Sequence, residues 1–347
     1  METHLVSGLV IGYGSIGRLH LRVVSNHYDA FGVVDLDQKA IDRAEQDYPG
    51  SVTARSLSDL DAMGWDWDGT TAVIANWGPV HGSTVDQLLS LGVKRLICEK
   101  PLAHSVAVGQ RMIEEAERHG ALLAVHHPRR YNGLPDGIAA IANEHHLGSP
   151  CAFVVHGGAS GLVTTGIHFI DLAAQLFGSD PLSVISTACG DPINPRSPDL
   201  LFYGGTAIWQ YSDGRELVLS MNNQSSVATR IFIYYRDAVI ELLRNSDIRV
   251  ARRLEEEIER FPAVTRLGET SDVVFEGPVP GIIDADAALL RIHRELNESG
   301  NISFSGGDAL ASIEACVGAL ASGKTGRSMT LPLDPLDEHA IAEWPIS

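Results

Sequence analysis

The first part of the chain alternates short apolar runs with segments whose apolar residues recur at helical spacing. Leu9–Ile11 is an apolar run that predicts a strand, and Leu19, Val23 and Val24 then recur as on one face of a helix. The same alternation continues to about residue 126 and predicts a doubly wound parallel sheet. The further predicted elements are strands at Phe31–Val34, Thr71–Ile74, Arg95–Cys98 and Leu122–Val125, and helices at Val80–Leu91 and Ser105–His119.

After residue 150 the pattern changes to strand-like segments without long helices between them. Asp213-Gly214 separates two of these segments and predicts a hairpin turn. Two helices are predicted near the C-terminus, at Ile283–Leu296 and Gly307–Ser322, and three prolines mark a loop around residues 190–199. Together these features predict an α+β region with an antiparallel sheet. The predicted strands are Cys151–His156, Thr206–Tyr211, Glu216–Met221, Thr229–Tyr235 and Val239–Leu243.

Composition narrows the possible partners. The 347 residues carry 26 basic and 44 acidic side chains, a net charge of −18, and no basic stretch offsets that field. Nucleic acid and anionic membranes are therefore disfavoured as partners. The four cysteines are far apart and form no C-x-x-C pair, which favours a reduced set. Without a signal-like segment or a span-length apolar run, the expected location is the cytoplasm.

A glycine-rich segment separates the first predicted strand from the first predicted helix. In a dinucleotide-binding turn of this spacing the first glycine permits the turn, the second lets the backbone approach a pyrophosphate, and the third lets helix and strand pack closely. The helix N-terminus offers free N–H groups and a positive dipole end to the phosphates. The structural alternative is a glycine turn that binds nothing. The G-x-G-x-x-G segment consists of Gly12, Tyr13, Gly14, Ser15, Ile16 and Gly17.

Asp35 ends the second predicted strand, 18 residues after Gly17. A carboxylate at this position accepts both ribose hydroxyls of an adenosine and repels a 2′-phosphate. Asp37 adds a second negative charge, and no arginine follows Asp35 directly. The sequence therefore predicts NAD as the cofactor in preference to NADP.

The predicted strand that ends at Cys98 continues directly into Glu99, Lys100 and Pro101. Ligands of a doubly wound sheet bind beyond the carboxyl ends of its strands, so we expect Lys100 beside the nicotinamide. Its ammonium group can orient a substrate hydroxyl and stabilise a developing alkoxide. Glu99 can accept a hydrogen bond from a ribose hydroxyl. Taken alone, these residues also fit a surface Glu–Lys pair before a helix, and the glycine turn upstream favours the site.

A second candidate group lies in Gly161–Leu172, whose later part has helical spacing. Asp171 follows His168 by three residues, so both side chains can share one helix face. Histidine has a suitable pKa for moving a hydroxyl proton near neutrality. Spacing alone favours a capping or core histidine satisfied by Asp171 over a catalytic one.

Two pairs of adjacent histidines raise the question of a metal. Neighbouring strand residues point to opposite faces, so neither His126-His127 nor His145-His146 makes a good chelate. No carboxylate or cysteine stands at ligand spacing along the sequence, and we expect no metal. His127 and Arg130 follow the last strand of the predicted parallel sheet and can reach the cleft. Arg130 binds an anionic group of the substrate there or forms an interdomain salt bridge, and the sequence leaves both open.

These motifs together resemble the GFO/IDH/MocA oxidoreductases, the family of glucose–fructose oxidoreductase and inositol dehydrogenase. The resemblance covers nearly the whole chain. It implies an α/β Rossmann domain at 1–126 and an α+β substrate-binding and oligomerisation domain at 127–347, with a large, mostly antiparallel open sheet. The segment at about 305–335 would close that fold. Besides the glycine turn and Asp35, the resemblance is carried by Asn76–His81, Glu99–Pro101, His127–Tyr131, the segment around His168, Ser305–Asp308 and Gly323–Pro332.

The resemblance also implies roles for individual residues. Lys100 and His168 would be catalytic, flanking the reacting carbon. Cofactor-binding residues beyond the glycine turn and Asp35 would be Asn76, Trp77, His81, Glu99, Lys100 and His127. Substrate-binding residues would be Lys100, Arg130, Tyr131, Thr164, Thr165, His168 and Asp171.

Two positions depart from the family pattern. Thr164 stands where the family often has an aspartate, four residues before the histidine, and a hydroxyl cannot orient a protonated His168 as a carboxylate would. Trp77 replaces part of a loop that is usually Pro-Asn-like. Its indole stacks on the cofactor or on a sugar ring, or packs under the loop, and the sequence does not decide between these.

The sequence therefore predicts an NAD-dependent oxidoreductase acting on a secondary alcohol or ketone of a sugar, aminosugar, nucleotide sugar or cyclitol. A non-catalytic NAD(H)-binding regulator of the same fold is the alternative, and retention of Lys100 and His168 argues against it. The substrate, the attacked carbon and the physiological direction stay open. An open sheet with an exposed apolar face favours a homodimer or homotetramer.

Overall fold

Six parallel strands form the sheet of the N-terminal part in the computed structural model of the chain. Their order is β3-β2-β1-β4-β5-β6, which confirms the predicted doubly wound sheet. All five residues of β4 are buried, as expected for a parallel strand covered on both faces. The strands are β1 Leu5–Ile11, β2 Tyr28–Val34, β3 Val52–Ala54, β4 Thr70–Ile74, β5 Arg95–Glu99 and β6 Leu122–His126.

Helices connect these strands, and several begin at side-chain caps. The hydroxyl of Ser105 accepts from the N–H of Val108, which starts α5, and Asp37 caps α2 in the same way. The helices predicted in this part of the chain correspond to α1, α4 and α5, whereas α2, β3 and α3 were not predicted. The helices are α1 Ser15–His27, α2 Gln38–Asp47, α3 Leu57–Ala62, α4 His81–Ser90, α5 Val106–Arg118 and α6 Pro128–Tyr131.

The strand order reverses between β1 and β4, which pair directly with each other. The loops that follow these two strands therefore lie side by side at the carboxyl edge of the sheet. A Cβ atom at Gly12 would lie 2.6 Å from the backbone of Asn76. Such a reversal point is where ligands bind in doubly wound sheets.

A second, larger sheet follows, with the strand order β15-β14-β13-β12-β7-β11-β10-β8-β16 and β9 paired to β10. Its pairs are antiparallel except that of β7 with β11, so the predicted mostly antiparallel sheet is confirmed. The predicted hairpin joins β10 to β11 through Gly214 at φ +83°. The strands are β7 Ala152–Gly157, β8 Ser183–Ser186, β9 Cys189–Asp191, β10 Phe202–Gln210, β11 Glu216–Met221, β12 Arg230–Tyr234, β13 Ala238–Leu242, β14 Asp247–Arg253, β15 Ser271–Pro278 and β16 Met329–Thr330.

One face of this sheet packs on helices. Trp209 of β10 is fully buried and its indole N–H donates to the carbonyl of Ala315 at 3.0 Å. Alternate residues of β11 are buried, as expected for a sheet with one covered face. The remaining α-helices of the described residues are α7 Leu134–Glu144, α8 Ile167–Phe177, α9 Glu255–Arg260, α10 Ala285–Arg294, α11 Gly306–Thr325 and α12 Glu338–Ile341, with a π-helical turn at Glu295–Ser299 after α10.

The structure describes residues 5–191, 201–243, 246–264 and 271–346, and the chain divides into two units. The first unit consists of residues up to Asn132, Ile283–Ile313 and the residues from Pro335 on, and the second of Gly133–Ile282 and Glu314–Asp334. The first unit thus takes α10 and the start of α11 in addition to the segment 1–126. Most of the proline loop predicted around 190–199 lies outside the described residues. Among the described residues, no helix is both long and apolar enough to cross a membrane.

Candidate cofactor and catalytic site

The glycine turn after β1 has the backbone geometry that its sequence predicts. Gly12 has φ +93°, a conformation that L side chains rarely adopt. A Cβ at Gly17 would lie 1.8 Å from the carbonyl oxygen of Gly12, so only glycine allows α1 to start so close to the turn. These two glycines therefore shape the turn itself.

Gly14 faces open space at the start of α1. A Cβ there would meet no atom within 4 Å, and Gly14, Ser15 and Ile16 are all exposed. No side chain caps α1, so its first N–H groups point outward without a side-chain acceptor. An exposed, uncapped helix N-terminus beside a glycine fits a pyrophosphate. Tyr13 contributes only its backbone to this edge, because its ring is buried and its hydroxyl donates to Asp47 at 3.0 Å.

Asp35 lies at the carboxyl end of β2 and faces the same turn. Its Oδ2 accepts from the N–H of Tyr13 at 2.6 Å, and its Oδ1 accepts from the N–H of Asp37 at 2.8 Å. These bonds orient the half-buried carboxylate, and each oxygen keeps a further lone pair for a ribose hydroxyl. Together with the open Gly14, this carboxylate fits an adenosine ribose next to the pyrophosphate position.

Sequence reasoning missed an arginine beside Asp35. Arg55 follows β3, and its Nη2 donates to the carbonyl oxygen of Leu36 at 2.5 Å. Asp35 and Arg55 each follow their strand directly, and β2 and β3 pair with Val34 opposite Ala54, which brings the two residues to the same edge. Only the pairing of the two strands reveals that Arg55 is near Asp35, because the two residues are 20 positions apart in the sequence.

Lys100 directly follows β5 at the carboxyl edge, as predicted, and is half-buried. The backbone around it is braced by His81, a predicted cofactor contact, whose side chain is buried. The His81 ring nitrogens lie 3.2 Å from the carbonyl oxygen of Asn76 and 3.1 Å from that of Pro101. Burial lowers the pKa of His81, and its ring lies between the loop after β4 and the loop after β5.

The carboxylate of Glu99, a predicted contact of a ribose hydroxyl, is buried among histidines. Its Oε1 accepts from His20 Nε2 at 2.8 Å and from His126 Nδ1 at 2.7 Å. The sequence prediction that no carboxylate stands at ligand spacing from the histidines also needs correction, since the three ligand atoms lie within 4.8 Å of one another. Pairing of β5 with β6 brings Glu99 beside His126, a proximity that spacing along the chain does not reveal.

Asn76 and Trp77 occupy the loop after β4. Asn76 Nδ2 donates to the hydroxyl of Thr84 at 2.9 Å, while its Oδ1 is buried with no partner among the described residues. An unsatisfied oxygen at the reversal point is available to a ligand donor. Trp77 is 46% exposed, which leaves an indole face open beside this loop. Its exposure favours stacking on a ligand over packing under the loop.

Three residues with predicted roles follow β6. His127 is buried, with its ring 4.7 Å from that of Phe304, and does not face outward as a cofactor contact would. The guanidinium of Arg130 lies 4.5 Å over the same ring. Tyr131, a predicted substrate contact, is fully buried, and burial raises the pKa of its hydroxyl. His127 and Arg130 thus pack on the same aromatic ring, and Tyr131 has its ring contact with His126.

The predicted substrate residues of the second unit lie at the start of α8. His168 is the second residue of that helix and is half-buried, whereas Thr164 before it is buried. Thr165 donates its hydroxyl to the carbonyl of Ser160. Asp171 is buried and accepts from Gln175 Nε2 at 3.0 Å. Of these side chains, His168 is the most suitable for proton transfer, because an imidazole can take up and release a proton near neutral pH and a threonine hydroxyl cannot.

Comparison with known proteins confirms the family resemblance. Residues 6–127 match GFO_IDH_MocA, an oxidoreductase family with an NAD-binding Rossmann fold. Inositol 2-dehydrogenase 3 of Saccharopolyspora erythraea is 30% identical over 186 residues, which cover 50% of this chain and 54% of the relative. The chain thus spans about half the length of the inositol dehydrogenases it matches.

Solved structures share the whole fold. An oxidoreductase of Agrobacterium radiobacter, in complex with NAD⁺, L-tartaric acid and magnesium, superposes with a TM-score of 0.70 at 18% identity, covering 94% of this chain and 98% of the other. The WlbA dehydrogenase of Bordetella pertussis, in complex with NADH and UDP-GlcNAcA, gives a TM-score of 0.70 at 17% identity, covering 96% and 100%. At this identity the likeness establishes the fold of both sheets.

Proposed function

We propose that this chain, whose residues 6–127 match the GFO/IDH/MocA oxidoreductases, is an NAD-dependent oxidoreductase of a secondary alcohol or ketone on a sugar or cyclitol. The observation that carries the proposal is the position of Lys100. It follows β5 at the same carboxyl edge of the sheet as the glycine turn and Asp35. A nucleotide held at the reversal point by these groups would bring its reactive end toward that edge.

Different residues at the carboxyl edge of the first sheet would bind different parts of the cofactor. The N-terminus of α1 at Gly14 would hold the pyrophosphate, Asp35 the adenosine ribose, and Asn76 with Trp77 a part nearer the nicotinamide. When bound, the nicotinamide supplies the hydride acceptor or donor. The carboxylate of Asp35 favours NAD over NADP by repelling a 2′-phosphate.

Lys100 and His168 would carry the proton chemistry. In the direction of oxidation, the ammonium group of Lys100 donates a hydrogen bond to the substrate oxygen and stabilises its developing charge. The imidazole of His168 accepts the hydroxyl proton. In the reverse direction His168 returns that proton to the ketone oxygen. Inositol dehydrogenases among the relatives and the nucleotide-sugar complex of WlbA support a polyol as the substrate class.

Two measurements test this proposal, first of cofactor binding and then of turnover. Fluorescence titration with NADH and NADPH would measure the two affinities, and absorbance of the nicotinamide would follow turnover on a panel of sugars, cyclitols and nucleotide sugars. Both directions would be assayed, with alcohols plus NAD⁺ and ketones plus NADH. We expect tight NADH binding and turnover on at least one polyol. Tight binding without turnover across both panels would contradict the enzyme and favour a regulator.

The variant Lys100→Met keeps the length of the side chain and removes its charge. We expect activity to fall by roughly two orders of magnitude because the substrate oxygen loses its charged donor. The dissociation constant for NADH should change little, which fluorescence titration would check. Lys94→Met is the matched control, since Lys94 lies at the opposite end of β5, where it donates to the carbonyl of His119. Full activity of Lys100→Met would rule out the role of Lys100.

A further inference from the structure

A buried carboxylate directly precedes Lys100. Glu99 is 8% exposed, and its Oε1 accepts hydrogen bonds from two imidazoles, those of His20 and His126. His20 is fully buried. An ionised carboxylate in the core is costly unless it is well paired, and an apolar side chain would fill the same space at lower cost. Packing alone therefore does not explain this group.

The two histidines come from elements that carry other parts of the site. His20 is on α1, the helix that begins after Gly14, and His126 is the last residue of β6. Glu99 and His126 are opposite each other in the register of β5 and β6. One carboxylate oxygen thus joins α1, β5 and β6 at the carboxyl edge, one residue before Lys100.

Cys98, the residue of β5 before Glu99, also contacts a histidine side chain. Cys98 Sγ lies 3.3 Å from His81 Nδ1, and His81 is on α4. Successive strand residues point to opposite faces, so the end of β5 is anchored on both sides. The backbone from which Lys100 extends is therefore fixed by side chains of four elements. We propose that Glu99, His20 and His126 form a clamp whose role is to position Lys100, an inference that rests on the proposed function of that lysine.

The clamp requires a definite protonation state. Burial acts to raise the pKa of Glu99, but the charge and hydrogen bonds of His126 and His20 outweigh it and hold that pKa well below its usual range. Burial lowers the pKa of His20. An ionised carboxylate only accepts hydrogen bonds, so both histidines must donate to it. His20 therefore carries its proton on Nε2 and His126 on Nδ1.

The same three ligand atoms invite a metal interpretation, and the distances argue against it. Nitrogen and oxygen atoms that bind one tetrahedral zinc ion at about 2.0–2.1 Å lie roughly 3.4 Å apart. The separations of 2.7 and 2.8 Å are instead those of charge-assisted hydrogen bonds. The geometry points to a hydrogen-bonded clamp.

Paired substitutions separate hydrogen bonding from other roles of the imidazoles. The amide nitrogen of Asn takes the place of Nδ1 and that of Gln the place of Nε2. His126→Asn and His20→Gln therefore keep the donor, whereas His126→Leu and His20→Met remove it. His339→Gln is the control, because His339 is a buried histidine of the same unit that lies on α12, outside the clamp.

We expect kcat to fall by about 10- to 100-fold in His126→Leu and His20→Met, because a displacement of Lys100 near 1 Å has this effect. The donor-keeping pair and the control should stay within about threefold of the parent, and NADH affinity should be unchanged in every folded variant. Equal losses in the donor-keeping and donor-removing variants would overturn the clamp. One equivalent of bound zinc in the purified protein would overturn it as well.

Two measurements do not depend on turnover. Nitrogen-15 spectra of the parent protein should show His126 protonated on Nδ1 and His20 on Nε2, and the opposite tautomer of either would overturn the clamp. Labelling of Lys100 by an amine reagent, relative to the exposed Lys39, should change in His126→Leu and stay constant in His126→Asn. An unchanged ratio in both would overturn the positioning role. If the parent enzyme turns over no polyol, the proposed function fails, and these two measurements still decide on the clamp.

Discussion

At the scale of single residues, cofactor choice depends on the charge at the end of β2. The Asp35 carboxylate is held by backbone N–H groups, and the Arg55 guanidinium lies beside it on the carbonyl of Leu36. In Asp35→Ser the repulsion of a 2′-phosphate is removed and Arg55 remains to bind it. We expect the ratio of NADPH to NADH efficiency, measured as kcat/KM, to rise by at least about tenfold.

The arginine provides the control for that expectation. Asp35→Ser combined with Arg55→Gln should lose most of the gain with NADPH, since no cation would then face the phosphate. A parent enzyme that prefers NADPH, or a double variant as efficient with NADPH as Asp35→Ser, would contradict the assignment of these two residues.

A second residue-scale prediction concerns Gly14. Its φ of −75° suits any L residue, and a Cβ there would enter open space, so Gly14→Ala should leave the melting temperature unchanged. The same Cβ would occupy space proposed for the pyrophosphate, and we expect NADH affinity to fall by about tenfold, or 1.4 kcal/mol. Gly50→Ala, in an exposed turn away from the site, should change neither quantity. Unchanged NADH affinity in Gly14→Ala would place the pyrophosphate elsewhere.

At the scale of elements, sequence periodicity found the strands and helices with strong local patterns. β1, β4, β5 and β6 and the helices between the last three agree with prediction because each has a buried apolar face. Of the three elements between β2 and β4 that were missed, two are short. β3 has three residues and α3 six, too few to establish a period. The glycine turn was predicted well because steric rules at Gly12 and Gly17 are local.

The contacts that strand pairing and packing create could not be predicted from the sequence. Glu99 and His126 are 27 residues apart and meet only through the register of β5 and β6. His20 joins them from the buried face of α1. Likewise, His127 and Tyr131 read as polar residues in a loop at the edge of the sheet, and their burial results from packing against segments distant in sequence. Local patterns thus located the site, and long-range packing decided which of its side chains face outward.

At the scale of the whole molecule, buried histidines predict acid sensitivity. Burial lowers the pKa of His20, His81 and His293. In the unfolded chain these groups bind protons below about pH 6.5. Their stabilising contribution is therefore complete above that pH and is lost as pH falls toward the folded pKa values, at up to about 1.4 kcal/mol per pH unit for each residue. Glu99, with its lowered pKa, is ionised in both states between pH 5 and 7 and adds no slope there.

Urea denaturation between pH 7.5 and 5 would measure this dependence. We expect the midpoint to fall steadily below pH 6.5, and a variant such as His293→Phe, which removes one buried imidazole, to show a smaller fall. His146→Gln is the matched control because His146 is exposed. Burial raises the pKa of Glu314 to about 7, which gives one opposing contribution in this range, so the three histidines should still dominate. A midpoint that stays constant or rises from pH 7 to pH 5 would contradict this prediction.

The face of the second sheet that its helices do not bury leads to the prediction of an oligomer. Register places apolar side chains opposite one another on five adjacent strands, and none of them is buried. Such a ladder is a larger apolar surface than scattered exposed residues provide, and symmetric pairing with a second copy would cover it. The ladder consists of Ile185, Ile208, Val218, Val154 and Phe232.

Light scattering after size exclusion at micromolar concentration tests this prediction. We expect a dimer or tetramer for the parent chain and a monomer for Val218→Lys, which puts a charge at the centre of the ladder. Val52→Lys is the control, since Val52 is a partly exposed apolar residue on β3 of the other sheet. NADH affinity should be the same in all three proteins because the glycine turn lies in the first unit. A monomeric parent chain would contradict the oligomer, and an oligomeric Val218→Lys would place its interface away from this sheet.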